Sequence, residues 1–198
     1  SYSTGDITAT MQNKGWNFQS RNNKNQITIV QGAEGAVNAT KYFDFYYPDG
    51  GANRNQYWNF NASSSLDGSD NWSLSFSAAL DPGTNNSANV FYITGTKSGQ
   101  MTSANNAITN PIFMLTGTAA GAVTYVPTLG ATAYDQITLT KGVWYKFYVI
   151  ASSLDSENNT ATISVKITSY DGETTVFEQT EENLNIANIG TLGGICWN

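Results

Sequence analysis

Val143-Trp-Tyr-Lys-Phe-Tyr-Val-Ile150 and Thr160-Ala-Thr-Ile-Ser-Val-Lys-Ile-Thr168 alternate large apolar side chains with polar or small ones. A period of two sends successive side chains to opposite faces of a pleated strand, so each stretch offers one face to a core and one to water or a ligand. Trp72-Ser-Leu-Ser-Phe-Ser-Ala78 carries the same pattern, with Ser73, Ser75 and Ser77 on one side.

Outward from these three, further strand-like stretches occupy residues 7–11, 16–19, 26–30, 41–47, 57–60, 89–95, 111–117, 123–126, 135–139, 176–178 and 192–197. Turn signals separate them: Pro48-Asp-Gly-Gly51, Asp81-Pro-Gly-Thr84, Lys141-Gly142 and Asp171-Gly172. No stretch sustains a helical period over three turns, and helix is expected only as a short turn at residues 181–185. The fold class expected is all-β, a two-sheet antiparallel β-sandwich of the jelly-roll kind. No composition shift divides the 198 residues, so one domain over residues 1–198 is expected, as a module of a longer secreted protein.

Charged residues make up 12% of the chain, aromatic residues 13%, and the net charge is −6. Nine Lys and Arg among 198 residues cannot supply the clustered cations that phosphate backbones require, which excludes nucleic acid as a partner. The absence of histidine removes His-based triads, Cys–His dyads and histidine-ligated zinc. Cys196 is the single cysteine and forms no internal disulfide, a usage that fits a secreted or cell-surface bacterial protein relying on its core. No apolar run approaches the ~20 residues a membrane-spanning helix needs, so membrane insertion is not expected.

Three segments resemble the concanavalin A-like lectin/glucanase jelly roll, with its laminin-G-like and pentraxin-like members. They are Trp72-Ser-Leu-Ser-Phe-Ser-Ala78 with Phe91-Tyr-Ile-Thr-Gly95, Lys141-Gly-Val-Trp-Tyr-Lys-Phe-Tyr-Val149, and Ile189-Gly-Thr-Leu-Gly-Gly-Ile-Cys-Trp197. The resemblance covers roughly residues 70–197 and its motifs are loose. It implies the sandwich and a glycan-related role, since that family hosts lectins, carbohydrate-binding modules, glycoside hydrolases and polysaccharide lyases.

Retaining or inverting hydrolysis needs two facing carboxylates, and the Glu-x-Asp-x-x-Glu strand of the family's glucanases does not occur here. Glu178, Glu181 and Glu182 fall beyond an expected strand end, where they read as a solvated acidic surface. Asp44, between Phe43 and Phe45, reads as an outward strand residue or a sugar or calcium ligand. Lyases of jelly-roll type pair Tyr with a base and a group that neutralises a uronate, and Arg21 and Arg54 are the only arginines.

Sugars stack C–H faces on aromatic rings and hydrogen-bond to planar polar groups. Tyr46, Tyr47, Tyr57 and Trp58 flank a Gly-rich turn with Asn53, Arg54 and Gln56, the leading candidate binding segment. Trp16 is a second candidate; Tyr125 and Tyr134, flanking a 127–132 loop, are a third. Trp72, Trp144 and Trp197 read as packing residues of the strands that define the fold. A structural Ca2+ is compatible with the loop carboxylates Asp6, Asp67, Asp70, Asp81, Asp155 and Glu157, and no other cofactor is called for. The leading expectation is a non-catalytic carbohydrate-binding module that holds a neutral plant-type polysaccharide or oligosaccharide beside an attached catalytic domain. A glycoside hydrolase or polysaccharide lyase of the same fold is one alternative, and an adhesin or protein-interaction domain is another.

Overall fold

A computed structural model describes backbone and side chains at residues 71–80, 93, 111–118, 123–155, 157–158 and 160–185, and the backbone alone in the remaining strands. In chain order the strands are β1 Gly5–Asp6, β2 Asn17–Ser20, β3 Gln26–Gln31, β4 Lys41–Tyr46 and β5 Gln56–Asn59. Then come β6 Trp72–Ala79, β7 Val90–Thr94, β8 Phe113–Gly117, β9 Thr124–Leu129, β10 Thr132–Ala133 and β11 Ile137–Thr138. The last four are β12 Trp144–Asp155, β13 Thr160–Ser169, β14 Thr175–Asn185 and β15 Gly194–Trp197.

All pairings are antiparallel. An 8-stranded sheet runs β10-β9-β8-β7-β15-β5-β2 with β11 beside β9, and a 4-stranded sheet runs β14-β13-β12-β6. β1, β3 and β4 form a small separate ladder. The two large sheets make the all-β sandwich expected from the alternating pattern. Their inner faces share one core: Ile93, Phe113, Leu115, Tyr125 and Leu129 from the larger sheet meet Phe147, Val149, Ile163, Val165 and Ile167 from the smaller.

The core follows directly from the period of two. In β12 the inward residues Tyr145, Phe147, Val149 and Ala151 alternate with outward Lys146, Tyr148, Ile150 and Ser152. In β13 Ala161, Ile163, Val165 and Ile167 point inward between Thr162, Ser164 and Lys166. Phe76 of β6 lies directly across from Phe147 and stacks on it, with centroids 5.0 Å apart and planes 2° from parallel. Trp72 is buried as expected, although its indole N–H has no hydrogen-bond partner among the described residues. Trp144 is half-buried, and the side chain of Trp197 lies outside the described residues.

Several local expectations change. Residues 181–185 are strand, not helix: β14 runs unbroken to Asn185 through register shifts opposite β13, so Glu178, Glu181 and Glu182 are strand residues. Cross-strand pairing to β13 overrides the weak helical composition of that stretch. The expected 127–132 loop is largely strand, because β9 continues to Leu129 and returns through the two-residue turn Gly130-Ala131. Gly130 has φ +56°, the left-handed first turn position that a type II′ hairpin assigns to glycine. A Cβ there would come within 2.8 Å of Leu184 on the facing sheet.

Phe147 is 1% exposed and packs in the centre of this core. Phe147→Ala is expected to cost about 3–5 kcal/mol, seen as a fall in the urea midpoint. Ser75→Ala, on the outer face of β6, is expected to stay within about 0.5 kcal/mol of the parent.

Candidate functional site

The same alternation that fills the core writes a second set of side chains across the outer face of the four-stranded sheet. Register aligns them in rows perpendicular to the strands. Ser75, Tyr148, Lys166 and Glu178 form one row; Ser73, Ile150, Ser164 and Thr180 form the next on one side. Ser77, Lys146, Thr168 and Thr175 form the row on the other side. Directly opposed residues on one face sit with Cβ atoms roughly 4.5–5.5 Å apart, so Tyr148 and Lys166 are immediate neighbours.

A groove of about 420 Å³ lies over these rows, lined among others by Tyr148, Ile150, Ser164, Lys166 and Glu178. Tyr148 and Ile150 are 37% and 47% exposed, large apolar groups on an otherwise hydroxyl-rich face. Ser164 and Thr180 hydroxyls hydrogen-bond at 2.8 Å. The Lys166 ammonium donates to both Glu178 carboxylate oxygens, at 3.0 and 3.2 Å. Both partners are well exposed, so the pair adds little to stability.

Lys146 sits one row away, with its ammonium 4.9 Å from the centroid of the Tyr170 ring, a cation–π geometry. Asp171, in the same turn, has its pKa held below the usual carboxylate value. The hydrogen bond from the Ser169 hydroxyl is the main cause, followed by the Glu173 N–H, with a smaller contribution from Lys146.

Of the residues expected to bind sugar, Tyr125 and Tyr134 lie away from this face. Tyr125 is 1% exposed and belongs to the core, because its place in β9 points it between the sheets; it is not a binding platform. Tyr134 is half-buried, edge-on to Phe177 at 5.6 Å, and its hydroxyl donates to Glu181. That contact ties the β9–β11 edge of the larger sheet to β14 of the smaller, so Tyr134 is engaged as an inter-sheet link. Tyr46 lies at the end of β4, and Gln56, Tyr57 and Trp58 lie in β5, with only their backbone described. Trp16, Tyr47, Asn53 and Arg54 lie outside the described residues. β4 and β5 belong to different ladders, and Asp44 of β4 is opposite Thr28 of β3.

Among the described residues no group of three or more acidic or thiol side chains is placed to hold a metal ion. Of the calcium candidates, Asp155 accepts hydrogen bonds from the Asn158 side chain and from the N–H groups of Asn158 and Glu157. Those bonds, the Asn158 amide first, hold its pKa low. Asp6 lies in β1 with only its backbone described, and Asp67, Asp70 and Asp81 lie outside the described residues. No helix among the described residues is long and apolar enough to cross a membrane.

No protein-family model matches the chain, and no curated protein matches it. Among solved structures the chain is similar to a double mutant of the alginate lyase Aly36B in complex with alginate tetrasaccharide. The identity is 16%, the match covers 99% of this chain and 81% of that one, and the TM-score is 0.47. That structure is of an alginate lyase, where the sequence suggested a non-catalytic lectin-type module. The expectations of a concanavalin A-like carbohydrate-binding module and of a non-catalytic role are corrected accordingly.

The groove brings together Tyr148, Lys166 and Glu178, none of which the sequence singled out as a binding residue. Their signal was present in the period of two, which already placed Tyr148 and Lys166 on outer faces, but the sequence does not state which strands adjoin.

The Tyr134 link makes a measurable prediction. Partial burial, then the hydrogen bond to Glu181 and its charge, push the Tyr134 pKa up from the ordinary value of 10.0. The folded state therefore holds this proton more tightly than the unfolded chain. The resulting stability is present below pH ~10 and is lost as pH rises above it. Tyr134→Phe is expected to lower stability at neutral pH by about 1 kcal/mol and to flatten the fall of Tm above pH ~10, checked by calorimetric scans across pH.

Proposed function

We propose that the chain is a polysaccharide lyase domain that cleaves a uronate-containing polysaccharide by β-elimination on the outer face of the four-stranded sheet. The observation that carries this reading is the row of Tyr148, Lys166 and Glu178 within one groove.

β-Elimination removes the C5 proton beside the uronate carboxylate, breaks the C4–O4 bond and forms the C4=C5 double bond. The leaving O4 receives a proton, and no further reactant is consumed. Negative charge builds on the carboxylate as the C5 proton leaves, and a fixed ammonium beside it stabilises that charge. Lys166, held by Glu178, is placed for this role. Tyr148, opposite it, is placed to take the C5 proton and to deliver one to O4. Ile150 and the Ser164–Thr180 hydroxyl pair in the next row supply an apolar surface and polar groups for a neighbouring sugar.

Hydrolysis fits this groove less well. It needs two facing carboxylates, and among the described residues Glu178 is the carboxylate that lines the groove, already tied to Lys166. The chain's net charge of −6 does not oppose an anionic substrate at close range. Exposed charges beyond about 8 Å are screened at physiological salt, whereas Lys146 and Lys166 occupy adjacent rows of the face. A secreted or cell-surface bacterial location, and membership of a longer protein, belong to the same proposal.

The isolated chain is expected to generate ultraviolet-absorbing unsaturated ends from at least one of polymannuronate, polygalacturonate and hyaluronan. Tyr148→Phe is expected to lower that rate by about 10²–10⁴ while leaving the circular dichroism spectrum unchanged. Saturated reducing ends without unsaturated product, or full activity in Tyr148→Phe, would overturn the assignment.

A further inference from the structure

The β13–β14 turn folds over the outer face of its own sheet. Tyr170 lies against the outward ammonium of Lys146, and Gly172 lines the groove together with Tyr148 and Lys166. The turn is held from within. The Gly172 N–H donates to the Ser169 carbonyl at 2.9 Å, and the Ser169 N–H donates to the Thr174 carbonyl at 2.8 Å. The Thr174 N–H donates to Ser169 Oγ at 2.9 Å, and the Glu173 N–H to Asp171 Oδ1 at 3.0 Å. With its backbone pinned in this way, the turn forms a fixed wall at that end of the groove.

Gly172 has φ +86°, in the left-handed region that favours glycine. A Cβ built on it meets no atom within 4 Å. The space beside Gly172 is therefore open, at a residue that lines the groove. We propose that Gly172 is a specificity-determining position: by leaving the overhanging turn without a side chain, it makes room at that end of the groove for one further sugar residue of an acidic polysaccharide. The inference rests on the reading of the groove as the polysaccharide site.

The test is calorimetric titration with ladders of mannuronate, galacturonate and hyaluronan oligosaccharides, from disaccharide to hexasaccharide, in a Tyr148→Phe background that slows turnover. Gly172→Asn fills the space, since Asn tolerates positive φ better than other side chains. Gly142→Asn is a matched control, because Gly142 has φ +73°, also faces open space, and does not line the groove. The expected result is an unchanged affinity of Gly172→Asn for the shortest saccharide that binds and an affinity about tenfold lower for the longest, with Gly142→Asn matching the parent throughout. Equal affinity of Gly172→Asn and the parent at every length, or the same loss at every length in both Asn variants, would overturn the inference.

If the parent binds none of the ladders, the polysaccharide reading of the groove fails and takes this inference with it. That outcome is recognised in the parent, before residue 172 is changed. If Gly172→Asn loses its folded circular dichroism, Gly172→Ala adds less bulk and decides the matter. A smaller loss confined to the longest saccharides supports the inference, and uniform affinity contradicts it.

Discussion

The whole arrangement depends on the burial of alternate residues of β12 and β13 between two sheets. Phe147, Val149, Ile163, Val165 and Ile167 are each 0–1% exposed. Removing a side chain of this size from water contributes about 1.5–3 kcal/mol. That burial fixes register, because a slip of one residue would exchange the core face for the solvent face along the entire strand. The stacked pair of Phe76 and Phe147 sets the same register on the β6 side.

Register in turn determines the outer face. Tyr148 cannot move relative to Lys166 without moving Phe147 and Val149 relative to Ile167 and Val165. A rigid strand scaffold is the kind of support that places reacting groups reproducibly. The groove residues are in this sense fixed by the core behind them, with the Lys166–Glu178 pair and the pinned β13–β14 turn refining positions that the ladder has already set. The opposite edge of β14 is anchored separately. Phe177 packs near Phe113, Tyr134 reaches Glu181, and Leu184 closes over Gly130.

Much of the fold was legible in the sequence. The period of two identified β6, β12 and β13 and assigned their inner and outer faces, and Lys141-Gly142 and Asp171-Gly172 marked real turns with positive-φ glycines. What failed was local composition read without partners. Residues 181–185, rich in Glu and Asn, suggested a helical turn, but eight of the eleven residues of β14 pair with β13, and the strand continues past an irregularity at Glu182 and Asn183. Tyr125 closed an expected strand beside the 127–132 loop and suggested a binding ring, whereas β9 runs on to Leu129 and carries it in the core.

The site was less legible, for a related reason. In the sequence, aromatic residues beside Gly-rich turns carry the stronger signal, since loops carry function in many proteins. Tyr148, Lys166 and Glu178 are 12 to 30 residues apart along the chain and become neighbours only through antiparallel pairing. Tyr148 and Lys166 alone read as outward strand residues, and Glu178 as solvated acidic surface. Their juxtaposition emerges from the order β14-β13-β12-β6, which no single strand encodes.

The central claim, that this outer face is where saccharide is bound and cleaved, is tested most directly by nuclear magnetic resonance titration of Tyr148→Phe protein with a uronate oligosaccharide. The account predicts that perturbed side-chain signals follow the strand alternation, affecting residues 146, 150, 164, 166, 178 and 180 while the inward residues 147, 149 and 165 stay still. Perturbations concentrated instead at residues 46–58, with the outer face silent, would contradict it.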